Sequence, residues 1–374
     1  GQRLYVMKCK AFLVLVLVCT VANSVAQTII SGKVVDAETD EPLSYVRVWA
    51  NDTTCVLTNV EGRFTVEVDV ATSIHISHVG YNATSLKANK VKGTIRLTPL
   101  AQQMDGIVVR GFNLNAMMDR ATRQLDACYK KDKKRCAPYF FRTVLHDGRK
   151  SRMMEALVKA YSAVNVRGMT MISGIDNADA VGEGSNLRIS LTNIHRLAEL
   201  GARTYDCARW DKCIKPFEAL KTWQKNYSTS FELLGEGDST VVKVNFTPKD
   251  VHEKEIMTGT AYVQARDARV LRFDGRIENS TLQSGLYQTK ENITFSIAYN
   301  YSKDCAEVAH VALTGGTDLA PNSMSTLKKI KYHVLLSRLN QDSLVNVKGT
   351  PVREDLMESF AQGDSQQALW NSYG

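Results

Sequence analysis

A mainly β protein with a second, α+β domain is predicted by three features of the chain. Short alternating runs of apolar and polar residues lie between Ile29 and Pro99, a helical stripe runs from Asn113 to Lys133, and longer alternating runs fill the later part. The fold class that follows is an N-terminal antiparallel β-sandwich, then a helix that leads into a curved antiparallel sheet. The predicted divisions are 1–26 as a leader with an upstream extension, 27–100 as the sandwich, 101–112 as a linker and 113–374 as the α+β domain. A chain of 374 residues can bury two cores of this kind.

The leader comes first. Lys8 and Lys10 follow Met7, an apolar run extends from Ala11 to Ala22, and Ser24-Val25-Ala26 ends it with small residues. This is the order of a secretory signal peptide, with Gly1 to Val6 standing ahead of it and the mature chain expected to begin at Gln27. The run is too short for a membrane helix, which needs about 20 apolar residues. No later stretch is long enough either, so no transmembrane helix is expected in the mature chain. Val18 before Cys19 is not the small residue a lipidation site requires. The expected address is the periplasm, the outer membrane or the cell surface.

Export changes how charge and cysteine are read. The formal charge of +8 includes three positive residues of the leader, Arg3, Lys8 and Lys10, which leaves +5. The basic residues cluster only at Lys130-Lys131-Asp132-Lys133-Lys134-Arg135, without interleaved aromatics, so nucleic acid is not an expected partner. Cys9 and Cys19 leave with the leader, and six cysteines remain in an oxidising compartment. Cys128 with Cys136 and Cys207 with Cys213 are the disulfide candidates by proximity in sequence, and Cys55 and Cys305 are left over as buried thiols. Neither spacing is the C-x-x-C of a zinc site.

In the sandwich, Phe64, Val66 and Val68 alternate with Arg63, Thr65, Glu67 and Asp69, the period of a half-buried strand. Val46 with Val48 and Ile74 with Ile76 repeat the pattern, and turn residues at Asp40-Glu41-Pro42, Asn51-Asp52, Glu61-Gly62 and Val79-Gly80 separate the runs. Gly62 and Gly80 are the structural turn positions, and Gly62 is expected to take a positive φ. His75 and His78 lie three apart and face opposite sides of a strand, which spoils them as paired metal ligands. Gly32-Lys33-Val34-Val35-Asp36-Ala37-Glu38-Thr39, Glu41-Pro42-Leu43, Asn59-Val60-Glu61-Gly62-Arg63-Phe64 and His78-Val79-Gly80-Tyr81 together resemble the carboxypeptidase regulatory-like domain. That resemblance implies a small transthyretin-like (Ig-like) sandwich of the kind Bacteroidetes place at the mature N-terminus of envelope proteins. It also implies a non-catalytic appendage, because peptidase chemistry in that family sits in a separate, larger domain.

Beyond the sandwich, Gln102 to Gly111 resembles the segment that leads into TonB-dependent receptors. The 263 residues from Phe112 onward are too few for a plug and a barrel of 22 strands. Met118, Ala121, Leu125 and Cys128 make the helical stripe, with Asn113 or Asn115 as its cap. Pro138-Tyr139-Phe140-Phe141-Arg142-Thr143 and Glu155-Ala156-Leu157-Val158 follow in an order similar to the uncharacterised C-terminal half of many regulatory-like-domain proteins. Val242, Val244 and Phe246, then residues 259–265 and 268–273 with Asp267 in the turn, then Ile293 to Tyr301, predict successive hairpins of one meander. The stretch from Thr240 to Arg276 is similar to the half-barrels of periplasmic lipoprotein carriers, which implies a concave sheet for apolar ligands. A closing helix is predicted near Glu354 to Tyr373, after which the chain stops abruptly, as a truncated sequence would.

No catalytic constellation emerges. The chain has no H-E-x-x-H, no G-x-S-x-G and no P-loop. His252-Glu253 and His195 with Glu199 come nearest to metalloprotease spacing without fitting it, and Asp267 and Asp274 do not make an acid–base pair from spacing alone. The function expected is therefore non-enzymatic: an exported envelope protein with a sandwich for contact or spacing and a second domain for a protein partner or an apolar ligand. No catalytic, metal or cofactor residue is assigned. The rival reading is a peptidase-like hydrolase associated with the regulatory-like domain.

Overall fold

The structure is a computed structural model, and it describes residues 27–50, 55–59, 61–69, 71–101, 112–132, 134–146, 151–164, 166–178, 223–249, 256–284, 287–302, 305–319 and 330–352. The chain divides into two compact units, Gly1–Pro99 and Leu100–Gly374. The predicted helix near 354–373 lies outside the described residues.

Among the described residues, the first unit holds seven strands: β1 (Gln27–Asp36), β2 (Arg47–Trp49), β3 (Cys55–Leu57), β4 (Arg63–Asp69), β5 (Ser73–Ser77), β6 (Thr84–Lys87) and β7 (Gly93–Leu97). They form two sheets, ordered β4-β1-β7 and β3-β2-β5-β6. The alternation foreseen in β4 is observed, with Phe64, Val66 and Val68 buried and Arg63, Thr65 and Glu67 exposed. These side chains join Val34, Val48, Ile74 and Ile76 in one apolar core. One pairing departs from the antiparallel expectation, since β1 runs parallel to β7 from Gly32↔Gly93 to Asp36↔Leu97. A long β1 can pair with β4 along its first part and with β7 along its last.

The second unit opens with α1 (Leu114–Asp132), where the Asn113 side chain accepts the N–H of Ala116 at 3.0 Å as an N-cap. There follow β8 (Cys136–His146), β9 (Ser151–Ser162) and β10 (Val166–Ala178), then the single helical turn α2 (Trp223–Asn226). The meander comes next: β11 (Tyr227–Leu234), β12 (Val241–Pro248), β13 (Ile256–Gln264), β14 (Val270–Ser284), β15 (Tyr287–Ser302), β16 (Cys305–Leu319) and β17 (Ile330–Arg338). A 3-10 turn at Asp342–Asn346 precedes the short β18 (Thr350–Pro351).

All these strands form one eleven-stranded antiparallel sheet, ordered β11-β12-β13-β14-β15-β16-β17-β8-β9-β10-β18. The meander thus continues, through the β17–β8 pair, into the hairpins that precede it in sequence. The helical stripe Met118, Ala121, Leu125 and Cys128 is buried, joined by Met117, in the same cluster as Phe141, Val244, Phe273, Ile297 and Leu336 from one face of the sheet. The Gln124 side chain donates to the Asp267 carbonyl at 2.8 Å and ties the helix to the β13–β14 turn. A smaller cluster of Leu157, Ile172 and Leu344 covers part of the other face.

Candidate functional site

Two regions of the second unit have geometry from which a function can be argued: the apolar inner face of the sheet and a polar knot at the end of α1.

The inner face is built by rings laid over glycines. Phe246, Gly259, Gly275 and Phe295 stand in register on four neighbouring strands. A Cβ on Gly259 would come within 2.7 Å of the Phe273 ring, and one on Gly275 within 2.3 Å of the Phe295 ring. The bare backbone is what lets these rings lie flat on the strands beside them, a device that favours strong sheet curvature. Phe246 and Phe273 meet at 6.0 Å between centroids and Phe273 stacks on Phe295 at 6.1 Å. Tyr227 closes the row edge-on to Phe246 at 6.0 Å. The opposite face carries ion pairs beside its small apolar cluster: Arg272 reaches Asp274 at 2.7 Å and lies over Tyr262, and Arg142 reaches Glu155 at 2.5 Å and lies over Phe140. Arg142 and Glu155 are register partners across β8 and β9, so the aromatic-Arg and Glu-Ala segments of the sequence meet as a cross-strand pair.

The polar knot solves a backbone problem. β16 pairs with β17 only as far as His310↔Ser337, which leaves the start of β16 without that ladder. Four side chains from elsewhere take the ladder's place. Cys128 Sγ accepts the Ala306 N–H at 3.4 Å, and Arg135 donates to the Ala306 carbonyl at 3.4 Å. Ser162 Oγ accepts the Val308 N–H at 3.2 Å, and the Tyr139 hydroxyl donates to the Val308 carbonyl at 2.8 Å while sharing a hydrogen bond with Ser162. Burial pushes the Tyr139 hydroxyl well above its ordinary range, so it stays protonated as a donor.

Glu307, between those two residues, accepts from Arg338 at 2.6 Å and faces Arg135 at 3.7 Å. Arg338 also reaches Asp342 at 2.5 Å. Burial works against its charge, but Asp342 and Glu307 outweigh it and raise the guanidinium further. Both regions therefore use their polar groups to hold the protein's own backbone and charges in place.

The residues singled out in the sequence are distributed as follows. Gly62 has φ +74° and Gly80 φ +90°, and a Cβ on Gly62 would stand 2.4 Å from the Val34 carbonyl oxygen. Around Gly62, Asn59 Oδ1 accepts the N–H groups of Glu61 and Arg63 at 3.0 and 2.9 Å, and Val34 N–H donates to the Gly62 carbonyl at 2.7 Å. Asp36 joins both ends of the motif set: it accepts from Glu38 N–H at 2.7 Å, Thr39 N–H at 3.0 Å and the Tyr81 hydroxyl at 2.8 Å.

His75 stacks on Trp49 and bonds Ser85 at 2.7 Å, whereas His78 tilts against Tyr81. Asp267 caps its own turn through the Arg269 N–H at 3.2 Å and pairs with that side chain, and Asp274 pairs with Arg272. In the basic cluster Lys130 pairs with Asp126 at 2.8 Å and Arg135 joins the knot. Cys207, Cys213, His195, His252 and Glu253 lie outside the described residues. Cys128, Cys136 and Cys305 stand in the thiol form, with Cys128 and Cys305 buried. Cys128 Sγ meets the backbone of Ala306, beside Cys305, a neighbour that sequence proximity did not suggest. Burial raises the Cys136 thiol, against the opposing pull of Lys159, the Ala137 N–H and Arg338.

Among the described residues, no group of three His, Cys, Asp or Glu side chains could hold a metal ion, and no helix is long and apolar enough to cross a membrane.

Comparison with known proteins agrees with the first unit. No curated protein matches the chain. Among solved structures, a DUF1329 family protein from Desulfovibrio piger is similar over 63% of this chain and 99% of its own, at 11% identity and TM-score 0.21. MucB in complex with MucA(peri) is similar over 62% of this chain and 98% of its own, at 8% identity and TM-score 0.15. Residues 30–109 match the CarboxypepD_reg-like domain family, so this chain carries that domain ahead of its eleven-stranded unit.

Proposed function

We propose that this is a non-enzymatic, exported envelope protein in which the regulatory-like sandwich serves as a contact or spacer module and the large sheet receives an apolar ligand or a protein partner. One observation carries the reading: the inner face of the sheet is a continuous, buried apolar layer organised by rings over glycines and packed against α1, while the buried polar groups near it hold backbone and one another. Such an arrangement favours holding hydrophobic matter over activating a nucleophile, which would need a group poised to change charge near neutral pH. The leader motif at Met7 to Ala26 supports delivery beyond the inner membrane.

The test is purification from the envelope fraction under native conditions, followed by native mass spectrometry and lipid extraction. A bound lipid or a cross-linked envelope protein is the expected result. Peptide hydrolysis that stops when a chelator is added would overturn the reading in favour of a metallohydrolase.

A further inference from the structure

The knot at the end of α1 brings together two cysteines that lie far apart in the sequence. Cys128 is in the last turns of α1 and Cys305 is the first residue of β16, yet both are buried in one apolar cluster. The Cys128 sulfur accepts the N–H of Ala306, the residue after Cys305, at 3.4 Å. That backbone contact, with both side chains buried in the same cluster, holds the Cys128 sulfur next to Cys305. Cys136 is held differently: it is half-buried and sits opposite Tyr161 on β9.

We infer that Cys128 pairs with Cys305 in a disulfide, in place of the Cys128–Cys136 pair that sequence proximity favours. Closure joins the two sulfur atoms by one S–S bond, each thiol losing its proton. The two electrons reduce the disulfide of a small-molecule or protein dithiol–disulfide oxidant to two thiols. The position suits a structural bridge. It ties α1 to the stretch of β16 that pairs with β15 on one edge but is held by side chains on the other, and it closes a loop of roughly 180 residues, long enough for a large entropic effect on the unfolded chain. Burial first, then the Cys128 thiol and Asp132, pushes the Cys305 thiol up to about 11. A thiol held that high is a slow nucleophile and a poor leaving group, the opposite of what a cycling redox centre requires. Closure in the cell rests on the export reading above, whereas the pairing itself does not.

The experiment incubates the reduced, purified protein with oxidised glutathione, blocks remaining thiols with N-ethylmaleimide and digests with trypsin without reductant. Mass spectrometry is expected to find the peptide Gln124–Lys130 linked to Asp304–Lys328, with Cys136–Arg142 outside that link. Oxidation should raise the melting temperature of the second unit by roughly 5–10 °C in the wild type and in Cys136→Ser, and should leave Cys305→Ser unchanged. A link between Gln124–Lys130 and Cys136–Arg142, or full alkylation of Cys128 and Cys305 after oxidation, would overturn the inference. If Cys305→Ser does not fold, the peptide map of the wild type still decides. The address is read separately, by whether the leader is removed and the protein fractionates with the envelope, so the pairing and the export reading can fail independently.

Discussion

The two units specify their strands by different physical means. In the first, β2 and β3 are only three residues long, so the ladder contributes little and side chains in the turns do much of the specifying. Asp36, Asn59 and Thr58 each bond backbone groups within the motif segments, Thr58 by donating to the Leu43 carbonyl, and Tyr81 closes onto Asp36. In the second, β15 runs for 16 residues between two long partners, and the ladder is ample. What remains to be specified there is curvature, and that falls to glycines under aromatic rings. A small sandwich is written in its turns, whereas a large sheet is written in what lies on its face.

The sharpest way to break this contrast is Gly275→Val. Its side chain would enter the Phe295 ring, and we expect the second unit to lose about 3 kcal/mol while the first keeps its own unfolding transition, as read by calorimetry. Simultaneous loss of both transitions would show that the units are not specified separately. Gly62→Val tests the other side. A positive φ and the nearby Val34 carbonyl should make it cost about 2–3 kcal/mol, confined to the first unit.

Tyr81→Phe sharpens the turn argument, with an expected loss of about 1–2 kcal/mol near neutral pH. Burial would raise the Asp36 carboxyl, but the Tyr81 hydroxyl and the N–H groups of Glu38 and Thr39 outweigh it and hold it below its ordinary 3.8. A depressed acid contributes stability above the unfolded value and loses it as pH falls through the folded one. The gap between wild type and Tyr81→Phe should therefore narrow below about pH 3.8 in acid titrations followed by circular dichroism. Smallest of all is Arg142→Lys, which loosens an exposed cross-strand pair and should shift stability by under about 0.5 kcal/mol in urea melts. A large effect there would mean that the outer face, too, specifies the sheet.

Legibility in the sequence follows the same division. Phe64, Val66 and Val68, or the stripe from Met118 to Cys128, reveal themselves because neighbours in sequence share one face at a fixed period. The Asn113 cap and the Gly62 turn are equally local. The parallel β1–β7 pair, the join of β17 to β8 and the capping of β16 by Cys128, Arg135, Tyr139 and Ser162 left no such signal. Each brings together segments tens to hundreds of residues apart, and no short-range periodicity encodes which distant strand becomes a neighbour.

Local chemistry by itself thus determined the elements: the sandwich strands and their turns, the amphipathic helix, the hairpins from Val242 to Phe273 and the strand through Ile293 to Tyr301. Tertiary structure alone decided the order of eleven strands, the rings that rest on Gly259 and Gly275, and the packing of Cys128 against the start of β16 beside Cys305. The reason is physical. Side-chain periodicity and turn chemistry act over a few residues, whereas register, curvature and the partner of a buried sulfur are settled only when surfaces far apart along the chain compete for the same core.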